Sequence, residues 1–273
     1  MRRPELAPLV ARFAIALIGL LSKPLGSRAR IFVKALIMER LEPIWVNPTK
    51  FGPIAFYCPA TWPYSRSDMA KEPDTSRWVE SFAQDEVLWD VGANVGVFSL
   101  LAARKGHRVV AFEPAAGSYF VLAKNVELNA FDDRITFLNI ALTDHSRIDI
   151  LHMSETRVGA AQHNFAVADE TPQAGQRGFK QPCIGYSVDD FVRTFDVPFP
   201  NHIKIDVDGI EGRIIAGAKV TLRDPRLKSI LVEINSDEAH ASIQQEMAEA
   251  GLILVPPKSG DGRRGNQVFR RAA

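Results

Sequence analysis

A buried strand, a glycine turn and a helix follow one another between residues 87 and 99, and this feature constrains the fold most. The apolar run Val87–Val91, interrupted only by Asp90, has the length of a strand buried on both faces of a parallel sheet. Gly92 and Gly96 flank the turn, and apolar residues resume at helical spacing after it. Such a turn directs backbone N–H groups at a ligand from the start of a helix. The pattern predicts a doubly wound α/β fold with a nucleoside site at this turn.

The next apolar run ends in a carboxylate, Glu113, about 23 residues after Asp90. An acidic side chain at this strand tip ordinarily receives ribose hydroxyls. A dinucleotide site requires the spacing G-x-G-x-x-G, but Asn94 replaces the middle glycine and no third glycine follows. Asp90 would also repel a pyrophosphate, whereas it suits the ammonium group of an amino-acid tail. The residues therefore favour a nucleoside with a methionine tail, and an NAD-linked reductase is the weaker alternative.

A second group of carboxylates lies in the segment HIKIDVDGIEG at residues 202–212. Its alternating apolar residues predict a strand that ends near Asp206, and Glu211 begins a helix after the turn. Strand tips meet at the switch point of a doubly wound sheet, so Asp206 is expected beside the first two tips. Glu211 either belongs to the site or offsets the helix dipole in the first turn of its helix. Glu233, at the end of a further strand, either belongs to the site or accepts a hydrogen bond from a nearby backbone amide.

Several motifs in this order resemble the FkbM-type methyltransferases, and the resemblance covers residues 50 to 271. They are EPDTSRWVESF (72–82), DVGANVGVFSL (90–100), AFEP (111–114), NIALTD (139–144) and IKIDVDGIEG (203–212). The resemblance implies a Rossmann-like, mostly parallel seven-stranded sheet with an antiparallel C-terminal strand. It also implies S-adenosylmethionine as the cofactor and O-methylation of a sugar, a polysaccharide or a natural product.

The resemblance assigns a role to individual residues of this chain. Those implied at the cofactor are Asp90, Gly92, Ala93, Asn94, Gly96 and Phe98 in the loop, Glu113 and Pro114 at the ribose, Asn139, Ala141 and Leu142 at the adenine, and Asp206 near the methyl group. One departure is Asp208, which stands where the family usually carries a glutamate.

The implied reaction is an in-line attack of an acceptor oxygen on the sulfonium methyl group. A sugar hydroxyl is a weak acid, so a base would help, and the candidates are Asp206 first, then Glu211 and His163. A carboxylate with an ordinary pKa near 4 is a poor base, so Asp206 is either desolvated or orients the hydroxyl or the cofactor. His163 lies in a polar segment at 155–180 that suits acceptor recognition, and a solvated loop histidine is the alternative.

The composition is that of one globular catalytic domain with a small extension. The chain has 273 residues, of which 46% are hydrophobic and 24% charged, and a net charge of +1 favours no nucleic acid. Two cysteines are too few for a disulfide framework, and the six histidines show no metal-ligand spacing, so we expect a cytoplasmic protein without a bound metal. The oligomeric state is not predicted.

The first 45 residues are basic and amphipathic, with eight lysines and arginines against three acidic residues. We expect a helical extension at residues 1–49 and the methyltransferase domain at 50–273. The longest apolar stretch, about nine residues after Arg12, is too short to span a bilayer, and no convincing cleavage site follows it. The extension is expected to pack on the domain as a lid or dimer surface. Peripheral contact with an anionic membrane is the alternative, which cosedimentation with vesicles would detect.

A different class of function also fits these residues. The chain could be a non-catalytic module that keeps the fold and docks on membranes. The intact loop glycines and Glu113 argue against that reading, and calorimetry with the cofactor would separate the two.

Overall fold

A computed structural model of the chain describes residues 6–160, 163–166, 178–234, 237–256 and 265–272. The chain divides into two compact units, Met1–Pro43 and Ile44–Ala273. In the first unit the described residues form two helices, α1 (Leu6–Ser22) and α2 (Ser27–Arg40). Among the described residues, no helix combines the length and the apolarity that a membrane crossing needs.

The second unit alternates strands and helices. Its described strands are β1 (Ile44–Asn47), β2 (Ile54–Tyr57), β3 (Val87–Val91), β4 (Arg108–Phe112), β5 (Ile135–Leu138), β6 (Ala141–Thr143), β7 (Arg147–Met153), β8 (His163–Phe165), β9 (Phe179–Ser187), β10 (His202–Ile205), β11 (Ser229–Ile234), β12 (Leu252–Leu254) and β13 (Gly265–Arg271). Its described helices are α3 (Thr61–Arg66), a 3-10 turn (Met69–Lys71), α4 (Pro73–Glu80), α5 (Val97–Lys105), α6 (Ala116–Leu128), α7 (Val188–Thr194), α8 (Glu211–Ala216), α9 (Lys219–Arg223) and α10 (Asp237–Glu249).

Seven strands form the central sheet in the order β12-β13-β11-β10-β3-β4-β5. The pairs from β11 through β5 are parallel, whereas β13 runs antiparallel to both of its neighbours. The predicted seven-stranded, mostly parallel sheet with an antiparallel C-terminal strand is therefore confirmed. The chain leaves β3 towards β4 and β5 and later returns to β10 on the other side. The strand order thus reverses at β3, and ligands bind at such a switch point in open α/β sheets.

The core occupies both faces of this sheet, which explains the apolar sequence of β3. All five residues of β3 are buried. Trp89 packs in one hydrophobic cluster and Leu88 in the other, because successive side chains of a strand point to opposite faces. The exception is Asp90, a buried carboxylate in an apolar strand, and burying such a group requires partners in the fold.

A smaller four-stranded sheet, in the order β6-β9-β7-β8, follows β5 in the chain. Its two longest strands are β7 and β9, which pair antiparallel. Its edge strand β8 carries His163, so this sheet brings a candidate site residue to the main domain.

A buried hydrogen-bond network joins the beginnings of β3, β10 and β11. The Ser229 hydroxyl lies 2.9 Å from Trp78 Nε1 and 2.7 Å from His202 Nδ1, so it accepts from the indole and donates to the imidazole. The other imidazole nitrogen, Nε2, then donates to Glu86 Oε2 at 2.8 Å. The Lys228 ammonium donates to Glu86 Oε1 at 2.5 Å. The Glu86 carboxylate, at the end of the sheet opposite the switch point, thus accepts hydrogen bonds from both His202 and Lys228 and completes the network.

We expect Glu86→Gln to lower the free energy of unfolding by about 2–4 kcal/mol at pH 7. Burial opposes the charge of Glu86, but hydrogen bonds from His202 and Lys228 outweigh it and lower the pKa to about 2. This stability is present above the ordinary pKa of 4.5 and is lost as the pH falls towards 2. Burial lowers the pKa of His202 to about 4, so its stabilising effect is lost between about pH 6.5 and 4. Urea unfolding at pH 7 and at about pH 2.5 spans both losses.

Glu127→Gln is the control for this prediction, because Glu127 forms an exposed ion pair with Lys124 on α6. Glu127→Gln should lower the free energy of unfolding by no more than about 0.5 kcal/mol at either pH. Equal losses in the two variants would contradict a stabilising role for the buried network.

Candidate functional site

In the turn between β3 and α5, every second residue has a left-handed backbone conformation. Gly92, Asn94 and Gly96 have φ of 78°, 51° and 87°. Asparagine is among the few residues other than glycine that adopt this conformation readily, which explains Asn94 in place of a glycine. A side chain at Gly92 would collide with the carbonyl oxygen of Asp206, so the turn lies directly against the tip of β10. The turn is held by its own backbone N–H groups: Gly92 and Ala93 donate to the Phe112 carbonyl, and Asn94 donates to Glu113.

Glu113, just beyond β4, is bound to this turn. Its Oε2 accepts the Asn94 N–H and its Oε1 accepts the Ala115 N–H, both at 2.8 Å. Burial raises the pKa of Glu113 to about 7; the two backbone hydrogen bonds lower it, and the charges of Asp208 and Asp90 raise it. Each carboxylate oxygen keeps a free lone pair, so Glu113 is able to accept two further hydroxyl groups.

A cavity of about 310 Å³ opens beyond the carboxyl ends of β3, β4 and β10. It is lined by residues of the turn, the tips of these three strands and of β11, the end of α3 with the segment after it, and the chain around β8. They are Arg66, Asp68, Glu72, Gly92, Ala93, Asn94, Val95, Val97, Phe98, Glu113, Pro114, Ala160, His163, Lys204, Asp206, Val207, Asp208 and Glu233. The wall contains six carboxyl groups but only one lysine and one arginine, so it favours a ligand with positive charge. Within the described ranges, no three of these acids are arranged to hold a metal ion.

A buried lysine joins the carboxylates at the tips of β3 and β10. Lys204 lies on β10 opposite Asp90 and is 2% exposed. Its Nζ lies 2.6 Å from Asp206 Oδ2 and 4.0 Å from Asp90 Oδ1. Asp90 Oδ2 accepts the Ser99 hydroxyl at 2.6 Å. The lysine ammonium also lies 5.3 Å from the centre of the Phe98 ring. These contacts explain how a charged residue is accommodated in a central strand.

The pKa values of the two carboxylates beside Lys204 are shifted in opposite directions. Burial dominates for Asp90 and raises its pKa, although Lys204 and Ser99 act in the other direction. Burial would also raise the pKa of Asp206, but the Lys204 ammonium, a hydrogen bond with Glu233 and the charge of Arg66 hold it below its usual value. Asp206 is therefore ionised at neutral pH, which suits accepting a hydrogen bond better than taking up a proton.

Most of the residues predicted from the sequence line this one cavity. They are Gly92, Ala93, Asn94, Phe98, Glu113, Pro114, His163 and Asp206. Ala141 and Leu142 line a smaller apolar cavity beside it, of about 30 Å³, which shares Gly92, Pro114, His163 and Val207 with the first.

Four other predicted residues do not line either cavity. Asp90 is 1% exposed and faces Ser99 and Lys204, and a side chain at Gly96 would meet Leu122. Asn139 donates to the carbonyl groups of Glu113 and Pro114 at 2.8 and 2.9 Å, which fixes the tip of β4.

Glu211 is the fourth of these residues. It is buried and accepts the Gly209 N–H at 3.2 Å. Burial raises its pKa to about 7, and the charges of Glu233 and Asp206 add to that shift. Glu211 therefore has the pKa of a general base but lies outside the cavity wall, whereas Asp206 and His163 lie in it.

Sequence reasoning missed Lys204 and the acidic and basic residues between α3 and α4. A lysine in an otherwise apolar central strand was the available signal for Lys204. Arg66, Asp68 and Glu72 follow one and a half turns of helix and carry no periodic pattern. Asp208 has a backbone partner, because its Oδ2 accepts the His163 N–H at 3.0 Å.

The two ends of the cavity wall differ in their chemistry. At the tip of β4, Glu113 offers hydrogen-bond acceptors to a pair of hydroxyl groups. At the tip of β10, two strands away and about 10 Å distant, Asp206 and its acidic neighbours favour a cation. The arrangement suits a nucleoside with a positively charged tail, with room for a second reactant beside it.

Comparison with known proteins gives one family. The profile described as "Methyltransferase FkbM domain" matches residues 90–254. The hexuronic acid methyltransferase AglP of Haloferax volcanii is 29% identical over 193 residues, which are 68% of this chain and 71% of AglP.

Solved structures of methyltransferases are also similar to this chain. The FkbM methyltransferase of Methylobacillus flagellatus has a TM-score of 0.45 at 16% identity; the match covers 69% of this chain but only 44% of that protein. The C-terminal domain of precorrin-6Y C5,15-methyltransferase from Rhodobacter capsulatus has a TM-score of 0.42 at 14% identity, with 72% and 86% of the two chains covered.

Proposed function

The chain belongs to the FkbM family of S-adenosylmethionine-dependent methyltransferases, and on this basis we propose that it methylates a hydroxyl oxygen of a sugar or sugar-containing acceptor. One observation carries the proposal: a single cavity holds Glu113 at the tip of β4 and the ionised Asp206 at the tip of β10. The first suits the nucleoside of the cofactor, and the second suits the methyl group and the acceptor.

The residues present fit S-adenosylmethionine. Glu113 would accept the two ribose hydroxyls, and the apolar side chains of Ala141 and Leu142 beside the main cavity would contact the adenine. The ammonium and sulfonium groups give the cofactor a net positive charge, which the acidic wall near Asp206 would stabilise. Gly92 lets the turn pack directly against the tip of β10, because a Cβ at this position would collide with the Asp206 carbonyl oxygen.

When bound, the cofactor supplies an activated methyl group: a C–O bond forms while the C–S bond breaks, and sulfur keeps the electron pair. The chain would contribute mainly alignment, which is worth up to about 7–11 kcal/mol in favourable cases. Asp206 would accept a hydrogen bond from the acceptor hydroxyl and orient its oxygen. His163 in the wall, or Glu211 outside it, would take the released proton.

A saccharide acceptor is supported by one relative and by one surface. AglP is by its name a hexuronic acid methyltransferase. In this chain Arg66 lies on the cavity wall, with its guanidinium 5.8 Å from the centre of the Trp62 ring. Trp62 and Tyr64 on α3 are exposed. Aromatic faces pack against the C–H face of a pyranose, and an arginine binds a carboxylate, so an acidic sugar fits this rim.

The proposal is tested with purified protein, S-adenosylmethionine and sugars of matched ring structure. Calorimetry measures cofactor binding, and release of S-adenosylhomocysteine with glucuronate, galacturonate or glucose glycosides measures transfer. Binding without transfer to any hydroxyl acceptor would favour the non-catalytic alternative. Absence of cofactor binding would contradict the proposal altogether.

Arg66→Gln should lower kcat/KM for an acidic sugar by about tenfold to a hundredfold, because a hydrogen bond between charged groups contributes about 1.5–3 kcal/mol. The neutral glycoside should change much less. Arg193→Gln, which removes an exposed arginine paired with Asp190 on α7, is the matched control and should leave both substrates unaffected. An equal loss with acidic and neutral sugars would exclude carboxylate recognition by Arg66.

A further inference from the structure

The position of Lys204 is unusual for its chemistry. It occupies β10, the strand between β3 and β11 in the centre of the sheet, where every residue is buried. Removing an ammonium group from water costs several kcal/mol unless anionic partners compensate it. An apolar residue of similar length would fill the same space without that cost, so the charge itself requires an explanation.

The partners of Lys204 point to the tip of its own strand. Its shortest ion pair, at 2.6 Å, is with Asp206, whereas Asp90 stands at 4.0 Å. Asp90 therefore contributes attraction without a hydrogen bond, and Asp206 receives the direct contact. The Phe98 ring and the charge of Glu72 add to the stabilisation of the ammonium. The lysine is thus held from several sides and holds one oxygen of Asp206.

We infer that Lys204 is a positioning residue for methyl transfer, because its ammonium, 2.6 Å from Asp206 Oδ2, holds that carboxylate in one orientation at the cavity wall. Without this cation, Asp206 would share its surroundings mainly with other acids. The charged or titratable groups that act on Asp206 are Lys204 on β10, Asp90 on β3, Glu233 on β11, Glu211 on α8 and Arg66 on α3, and Glu72 before α4 acts on Lys204.

The consequence for the reaction rests on the proposed function. An ionised carboxylate with one oxygen fixed by Lys204 presents a hydrogen-bond acceptor of constant direction to the substrate hydroxyl. A protonated or rotating carboxyl group would align that hydroxyl less often, and misalignment by about 1 Å costs up to about a hundredfold in rate. Lys204 would therefore act through Asp206 and not through the substrate.

The test follows the titration of Asp206 directly, by carboxyl ¹³C NMR of protein labelled at aspartate, with Asp206→Asn identifying the signal. In the parent protein the midpoint should lie below 3.8. In Lys204→Met it should rise by about one to three pH units, the usual effect of an adjacent opposite charge. Lys228→Met, which removes the lysine of the Lys228–Glu86 ion pair at the other end of the sheet, should leave the midpoint unchanged.

A parent midpoint above 4, or an unchanged midpoint in Lys204→Met, would overturn the inference. If Lys204→Met folds poorly, Lys204→Met with Asp90→Asn removes one uncompensated buried carboxylate and leaves Asp206 for measurement. Whether or not Lys204→Met folds, a titration midpoint of Asp206 above 4 in the parent protein contradicts the inference. None of these titrations needs the cofactor or an acceptor, so their failure is distinguishable from failure of the proposed function.

Turnover supplies a second readout by a double-mutant cycle. If Lys204 acts through Asp206, then adding Lys204→Met to Asp206→Asn should cost less than threefold further activity, although Lys204→Met alone costs at least tenfold. Multiplicative losses would show that Lys204 acts independently of Asp206 and would also overturn the inference.

Discussion

Asp206→Asn should reduce methyl transfer by about tenfold to a hundredfold, because misalignment of a reacting group costs up to about a hundredfold in rate. The substitution keeps the shape of the side chain but removes its charge and the ion pair with Lys204. Because Asp206 is expected to act on the acceptor hydroxyl, the affinity for S-adenosylmethionine should change less than the turnover. Steady-state kinetics and calorimetry on the same preparation separate these two effects.

Asp144→Asn is a suitable control for this experiment. Asp144 is also a carboxylate in an ion pair, with Arg213 at 3.2 Å, and its pKa is lowered to about 2: burial opposes the charge, but the Thr143 hydroxyl and Arg213 outweigh it. It does not line the described cavity. Turnover within a few-fold of the parent in Asp206→Asn would assign Asp206 a purely structural role.

Glu113→Gln should weaken S-adenosylmethionine binding at least tenfold and remove most of its pH dependence. Burial raises the pKa of Glu113 to about 7 in the free protein, and ribose hydroxyls favour the ionised form by donating to it. Binding therefore requires loss of a proton below pH 7, so affinity should increase from pH 6 to pH 8 and then level off. Calorimetric titrations at pH 6, 7 and 8 measure this directly.

The effect on folding has the opposite sign. Because the pKa of Glu113 is raised on folding, its protonated form stabilises the free protein at low pH, and this contribution is lost as the pH rises through 7. Glu211 also has a pKa of about 7, since burial raises it. Glu211→Gln therefore tells which carboxylate controls the binding profile. A pH profile that survives in Glu113→Gln and vanishes in Glu211→Gln would contradict the assignment to the ribose.

Local patterns in the sequence were sufficient for the centre of the fold. The apolar run of β3 and the two glycines predicted the strand, the turn and the helix, because burial on both faces and positive φ leave clear residue choices. The tips that carry Glu113 and Asp206 followed from the rule that sites in open α/β sheets lie at the switch point. The number of strands and the antiparallel C-terminal strand came from the resemblance to a family, since pairing between distant strands leaves no local pattern.

The residues that sequence reasoning missed depend on long-range placement. Arg66 and Glu72 reach the cavity only because the segment around α3 folds over the tip of β10, and nothing in residues 61–72 states that location. Lys204 contradicts the usual composition of a central strand and is explained only by Asp90 and Asp206. Glu211 shows the opposite case: its strand-tip motif is clear, but the side chain turns back to its own loop.

The buried network of Trp78, Ser229, His202 and Glu86 gives the three central strands a mechanical property. It clamps β3, β10 and β11 at one end, while the reactive groups stand at the other. A five-residue strand is about 16 Å long, so a tilt of about 4° at the clamp displaces the far tip by about 1 Å. A displacement of that size is enough to slow an aligned reaction up to about a hundredfold. Residues at the end of the sheet opposite the site, which do not contact the ligand, would thereby determine how accurately the reactive groups are aligned.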